Sequence, residues 1–225
     1  QRVEDPRGRV QRVHRREDAL GGDVARQHGG GVQVGEGGGR GRVGQVVGGH
    51  VDGLHRGDRA FLRGGDAFPA LELVEVGGTR RTIPAVFAGQ YGVVLFSRGA
   101  GCRSCVEQLR AFQRGLRRLS AVDIAVVALT ADEEPMITEL VSRYGLTFPI
   151  GHSTDVGQIA ATTGAFVTMD PPQLQTTGFV LDPDGKVVIS VYSCGTLGQL
   201  LPDDVLELVR ELPQHADATR QEAER

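Results

Sequence analysis

Cys102 and Cys105 lie two residues apart, directly after the apolar run Tyr91-Gly92-Val93-Val94-Leu95-Phe96. Val106, Leu109, Phe112, Leu116 and Leu119 follow at spacings of three or four, with Glu107, Gln108, Arg110, Arg114 and Arg117 between them, which is the period of a helix. The pair therefore falls on a strand-to-helix turn, with Cys102 at the helix N-terminus. Unpaired backbone N–H groups and the positive end of the helix dipole favour an anion there, so a thiol that ordinarily titrates near about 8.5 is expected to shift toward its thiolate. Arg98 and Arg103 add positive charge beside it, and Glu107 would oppose them if it turned toward Cys102. Two sulfurs at this spacing can approach bonding distance across one helical turn, so the chemistry first suggested is that of a redox dithiol. The same pair could be half of a zinc site, or two inert buried thiols. A complete metal site needs two more ligands, and the foldable part offers Cys194, His152 and His215 without CxxC or HxxxH spacing. No metal and no bound organic cofactor is expected.

Other chemistry-bearing residues read as structural. Cys194, after Tyr192-Ser193 and before Gly195, is expected to be a small buried hydrophobe or a surface thiol. His152, in a loop after Ile150, is expected to be a solvated surface side chain and not a general base. Asp182 and Asp184, within Asp182-Pro183-Asp184-Gly185, have the composition of a turn.

The elements that must position the cysteines occupy about two-thirds of the 225 residues. The first 65 residues hold more than half of the 33 glycines and four of the 6 histidines, and contain no Ser, Thr, Lys, Ile, Tyr, Met or Cys. Such a stretch buries too little apolar surface to offset its chain entropy, so residues 1–64 are expected to form a disordered Gly/Arg-rich extension. Its narrow alphabet also fits translated upstream sequence of a GC-rich gene, with the native start near Phe61. A nucleic-acid arm is disfavoured, because Glu4, Asp5, Glu17, Asp18, Asp23 and Asp52 dilute the basic charge and no aromatic is interleaved for stacking. No apolar run approaches the roughly 18 to 20 residues of a membrane span, and no secretory signal is visible, so a cytoplasmic protein is expected. The three cysteines do not make a disulfide framework, and the formal charge of −3 implies no special partner.

Beyond Gly65, strands are expected over residues 71–76, 93–97, 124–129, 179–181 and 187–192, with a short extended segment at 148–150. Helices are expected over 102–119, from a cap at Asp132 with Pro135 in the first turn to Gly145, over 156–163 closed by Gly164, and over 202–212. The unbroken apolar run at 124–129 is the pattern of a parallel strand covered on both faces. The order is βαβα, then a hairpin, then a helix; the right-handed crossover makes the first part a parallel unit that the hairpin extends antiparallel. This describes an α/β domain of thioredoxin-like fold over residues 65–213, a central mixed sheet flanked by helices, followed by a polar tail at 214–225. The dithiol then sits at the carboxyl end of a central strand, where open α/β sheets place their chemistry.

Gly65-Asp66-Ala67-Phe68-Pro69 is similar to the opening Gly-Asp-x-x-Pro of the alkyl hydroperoxide reductase and thiol-specific antioxidant family, the peroxiredoxin-like branch of the thioredoxin superfamily. Residues 94–109, with Arg98-Gly99, the CxxC and Gln108-Leu109, resemble one form of its active-site segment, and residues 177–185 resemble its late strand and turn. The resemblance covers roughly residues 65–212. It implies a thiol-dependent oxidoreductase without an organic cofactor, acting on a hydroperoxide or a protein disulfide and recycled by an external thiol reductant. Two departures bear on mechanism. The family's Pro-x-x-x-Thr-x-x-Cys loop places its peroxide-reacting cysteine at Cys105, with Arg98 at the Pro position and Cys102 at the Thr position. Thr176 stands where thioredoxins carry a cis-proline and peroxiredoxins an arginine that steadies the peroxide. Arg98, Arg103 and Thr176 are thus the expected supporting residues. Two routes stay open: Cys102 attacks a disulfide and Cys105 resolves it, or Cys105 attacks a peroxide and Cys102 condenses with the sulfenic acid. The rival expectation is a non-catalytic binding or redox-sensor module on the same fold. Oligomeric state and electron donor are not legible.

Overall fold

The structure, a computed structural model, describes residues 61–223, with side chains as far as Leu212, and four short strands before them: β1 (Arg2–Glu4), β2 (Val10–Arg12), β3 (Gln45–Val47) and β4 (Leu54–Arg56). There follow the hairpin β5 (Leu71–Val74) and β6 (Arg80–Ile83), then β7 (Tyr91–Phe96), α1 (Arg103–Ser120), β8 (Ile124–Leu129) and α2 (Glu134–Tyr144). The chain continues through β9 (Ile150–Gly151), α3 (Val156–Thr163), β10 (Phe166–Met169), β11 (Pro172–Leu174), β12 (Thr177–Leu181), β13 (Val187–Ser193) and α4 (Pro202–Ala223).

The central sheet has the order β3-β13-β12-β7-β8-β9. β7, β8 and β9 are parallel, β12 runs antiparallel to β7, and β13 antiparallel to β12, so the expected mixed thioredoxin-like sheet is present. Alternation along the strands divides their side chains between two cores. Val93, Leu95, Val126, Ala128 and Val180 meet Leu109 and Phe112 of α1, Ile137 and Leu140 of α2, and Val205, Leu206 and Val209 of α4. Val94, Phe96, Val127, Leu129, Phe179 and Leu181 face the other way, toward Val156, Ile159 and Ala160 of α3. Helices on both faces are the reason that β7 and β8 read as unbroken apolar runs, each such side chain contributing about 1.5–3 kcal/mol on burial.

Several elements differ from the sequence expectation. β6 escaped it because Arg80, Arg81 and Thr82 are exposed and only Ile83 is buried, which leaves no apolar period. β10 and β11 pair antiparallel across Asp170-Pro171, a dipeptide whose proline reads as a loop. α2 begins after Glu133, not Asp132, because the Asp132 carboxylate is engaged elsewhere. α4 continues past Leu212, where Ala, Gln, Glu and Arg favour helix, so the expected tail from residue 214 is helical as far as Ala223.

Packing also reaches back before residue 65. Leu62 is 1% exposed and Phe61 packs against the same core. The Leu62 N–H donates to the Tyr192 hydroxyl at 2.8 Å, which itself donates to the Thr163 carbonyl at 2.8 Å, and the Ser190 hydroxyl donates to the Leu62 carbonyl at 2.7 Å. β4 pairs antiparallel with β10, and β3 lies parallel beside β13. The rest of the segment expected to be disordered lies outside the described residues. Tyr192→Phe removes the group that serves both Leu62 and Thr163 and leaves two buried backbone groups unpaired, an expected loss of about 2–4 kcal/mol in urea unfolding. A loss below about 0.5 kcal/mol would show that this hydroxyl does not tie the early segment to the sheet.

Candidate active site

β7 ends at Phe96, and the next six residues, 97–102, turn the chain into α1 at the carboxyl edge of the sheet. The Ser97 N–H donates to the Leu129 carbonyl at 2.9 Å, which holds the start of this loop on β8. Gly99 has φ +111°, a conformation that favours glycine, and a Cβ there would overlap the carboxylate of Asp132. That carboxylate accepts the Ala100 N–H at 2.6 Å and so pins the loop from the β8 side. Asp132→Ala should cost about 1–2 kcal/mol of stability in denaturant unfolding by leaving this N–H without its acceptor; an unchanged midpoint would show that water replaces it at no cost.

Cys102 occupies the cap position of α1, its Sγ accepting the Cys105 N–H at 3.4 Å. The two sulfurs are joined in a disulfide with Cα atoms 5.3 Å apart. Cys102 is half-buried and lines a cleft of about 590 Å³ together with Arg98, Gly101, Arg103, Ser104, Glu107, Gln173 and Thr196. The Ser104 hydroxyl lies 3.3 Å from Cys102 Sγ. Cys105 is 0% exposed, and Gln199 points its amide N–H at the Cys105 sulfur from 3.9 Å. A sequence signal for this asymmetry existed: Cys105, Leu109 and Phe112 stand at i, i+4 and i+7 on the buried stripe of α1.

Of the three expected supporting residues, Arg98 and Arg103 line the cleft and Thr176 does not. Arg98 donates from its guanidinium to Gln173 Oε1 at 3.1 Å, while Gln173 Nε2 donates back to the Arg98 carbonyl at 2.9 Å. Gln173 belongs to β11 and carries no motif, so sequence reasoning missed it. Arg103 is exposed on the first turn of α1. Thr176 is buried and its hydroxyl donates to the Gly195 carbonyl at 2.5 Å, a tie between β12 and the loop that contains Thr196. Glu107 accepts from Arg110 at 2.6 Å along the helix surface, which offsets its charge near the sulfurs. Cys194 is buried, as one of its two expected placements had it. His152, expected to be solvated, is half-buried with Nδ1 3.1 Å from the Ser153 hydroxyl, because its backbone N–H is drawn to the Val74 carbonyl of β5. Asp182 Oδ1 accepts the N–H groups of Asp184 and Lys186, which is the work of a turn former. Among the described residues no three His, Cys, Asp or Glu side chains gather as a metal site would require.

A disulfide with one sulfur open to a cleft and the other buried can exchange with a thiol that enters the cleft. The model of the AhpC/TSA family matches residues 64–190, more than half of the chain. The chain belongs to this family. A peroxiredoxin of Methanothermobacter marburgensis is 28% identical over 159 residues, covering 65% of this chain and 70% of that protein. Two solved structures share the fold: peroxiredoxin 6 of Arenicola marina, at 18% identity and TM-score 0.58 over 68% of this chain and 74% of that one, and peroxidoxin BcpB of Mycobacterium tuberculosis, at 20% identity and TM-score 0.53 over 65% and 95%. The protein is a thiol-dependent oxidoreductase of peroxiredoxin type, with the antioxidant activity that its family implies. The rival expectation of a non-catalytic module is not favoured. Among the described residues no helix is long and apolar enough to cross a membrane.

Proposed function

We propose that this oxidoreductase reduces hydroperoxides with Cys102 as the sulfur that meets outside molecules in both halves of its cycle, and with Cys105 as the resolving thiol. The observation that carries this reading is the unequal exposure of the pair: Cys102 lines the cleft, while Cys105 is wholly buried. In the oxidative half, the Cys102 thiolate attacks the peroxide oxygen, the O–O bond breaks, and the alcohol leaves after taking up a proton. Cys102 is then a sulfenic acid; the Cys105 thiol attacks its sulfur, water leaves, and the disulfide forms. In the reductive half, an external thiolate attacks Cys102 Sγ and Cys105 leaves as a thiolate. A second external thiol releases Cys102 from the mixed disulfide, and the two external thiols depart joined.

Arg98 and Arg103 favour the Cys102 thiolate and the developing alkoxide, and Thr176 positions the Thr196 loop at the cleft through Gly195. A protein disulfide remains the second substrate class, since the same exchange runs on it. The external thiol is of the kind named for one structural neighbour, a yeast mitochondrial 1-Cys peroxiredoxin resolved through glutathione/thioredoxin systems. The reaction is placed in the cytoplasm, where such thiols keep cysteines reduced.

Sulfenate trapping tests the assignment. Reduced Cys105→Ser protein treated with one equivalent of hydroperoxide and dimedone should carry the adduct on Cys102. An adduct on Cys105 in the Cys102→Ser protein, with Cys105→Ser inert, would give the attack to Cys105 instead.

A further inference from the structure

We infer that Gln199 is a further catalytic residue: its side-chain amide faces Cys105 Sγ and stabilises the thiolate that leaves when an external thiol opens the Cys102–Cys105 bond. The inference rests on the proposed role of Cys105 as the buried, leaving sulfur, and it adds which group receives the charge there. Reduction bonds the attacking sulfur to Cys102 and puts the electron pair of the S–S bond on Cys105 Sγ. Cys105 is 0% exposed, so water does not solvate that charge, and burial disfavours a thiolate. Among the described residues Gln199 Nε2, at 3.9 Å, is the only hydrogen-bond donor directed at this sulfur. A disulfide sulfur is a weak acceptor and holds the amide at that length. A thiolate is a strong acceptor and draws the same N–H into a charge-assisted bond. The contact therefore strengthens as the leaving group gains its charge, which lowers the barrier to reduction.

The loop between β13 and α4 holds this amide in advance. Gln108, one turn after Cys105 on α1 and itself 5% exposed, donates its side-chain N–H to the Leu200 carbonyl at 2.9 Å. The Leu200 side chain is buried against β12, so closely that a Cβ at Gly178 would stand 2.6 Å from Leu200 Cδ1. Before Gln199 in the chain, the Ser193 hydroxyl donates to the Leu197 carbonyl and ties the loop back to β13. Adjacent loop residues thus dock on α1 at Cys105 and at Gln108, and the donor needs no reordering when the S–S bond opens. Gln199 does not line the cleft through which the external thiol reaches Cys102. Entry of the thiol and acceptance of the displaced charge are served by different residues.

The test compares Gln199→Leu, which lacks the donor, and Gln199→Glu, which keeps the shape and brings a negative charge, with the unmodified full-length protein. Stopped-flow reduction of the disulfide by dithiothreitol at neutral pH should be about tenfold slower in Gln199→Leu and at least threefold slower again in Gln199→Glu. The burst of peroxide consumption by the reduced protein should slow by less than about twofold in both variants, since it precedes any charge on Cys105. Slowing of both steps by the same factor would show that residue 199 only shapes the end of the helix, and would overturn the inference. The second readout is the titration of Cys105 in reduced Cys102→Ser protein, followed by the Cβ chemical shift of isotope-labelled cysteine. Its midpoint should rise by about one pH unit with Gln199→Leu and further with Gln199→Glu. A rise below about 0.3 unit in both, or the reverse order, would overturn the inference. This titration is read without peroxide, so an adduct on Cys105 in the trapping experiment would sink the proposed order of attack while the amide contact stands or falls on the titration.

Discussion

Cys102→Ser should lower hydroperoxide turnover by at least about a thousandfold, because a hydroxyl in its place is not ionised at neutral pH and cannot accept oxygen as a thiolate does. Cys105→Ser should slow multiple turnover without abolishing it, for a different reason. Its Cys102 still takes oxygen from the first equivalent of peroxide, and the sulfenic acid then has no internal resolving thiol and waits for an external one. Single-turnover measurements separate the two: one equivalent of peroxide consumed by the Cys105→Ser protein, none by Cys102→Ser. The expectation comes from the burial of Cys105 against the stripe of Leu109 and Phe112, which leaves Cys102 as the sulfur in the cleft. Equal bursts from both variants would show that the helix end opens enough to make the two sulfurs equivalent.

Phe179→Ala should cost about 3–5 kcal/mol, the largest stability loss expected from a single truncation in this core. Phe179 is 0% exposed at the centre of β12, opposite Val94 of β7 and Ser190 of β13. Its ring meets Phe68, Phe96 and Tyr192 edge-on, with centroids at 5.1, 5.6 and 5.5 Å. Removing it opens a cavity that three strands border, and strands held by ladder hydrogen bonds close such a gap poorly. Phe96 is the last residue of β7 before the cysteine loop, so the activity of this variant should fall along with its stability. Denaturant unfolding with an unchanged slope checks the first part. A loss below about 1.5 kcal/mol would mean that the aromatic cluster repacks.

The contribution of each residue divides according to the range of the interaction behind it. Helix and strand periods in residues 91–129 place a CxxC at the end of a buried parallel strand, because period depends on neighbours within one or two turns of chain. Gly164 closing α3 and the turn at residues 182–185 are legible for the same reason. β6 and the β10–β11 pair are not, since three exposed residues in one and a proline break in the other erase the alternation that marks a strand.

By itself, then, the chain of amino acids determined a thioredoxin-like domain, its family and a pair of neighbouring sulfurs at the end of a central strand. Tertiary structure decided how those sulfurs are served. Gln173 reaches Arg98 across 75 residues, Asp132 reaches Ala100 across 32, and Tyr192 reaches Leu62 across 130. Thr176 shows the same limit from the other side: its position in the family pattern suggested a place at the reacting atoms, and its hydroxyl is instead held by Gly195. Single polar pairings between distant segments leave no periodic trace in either partner. They exist only once apolar burial has brought the strands that carry them into register.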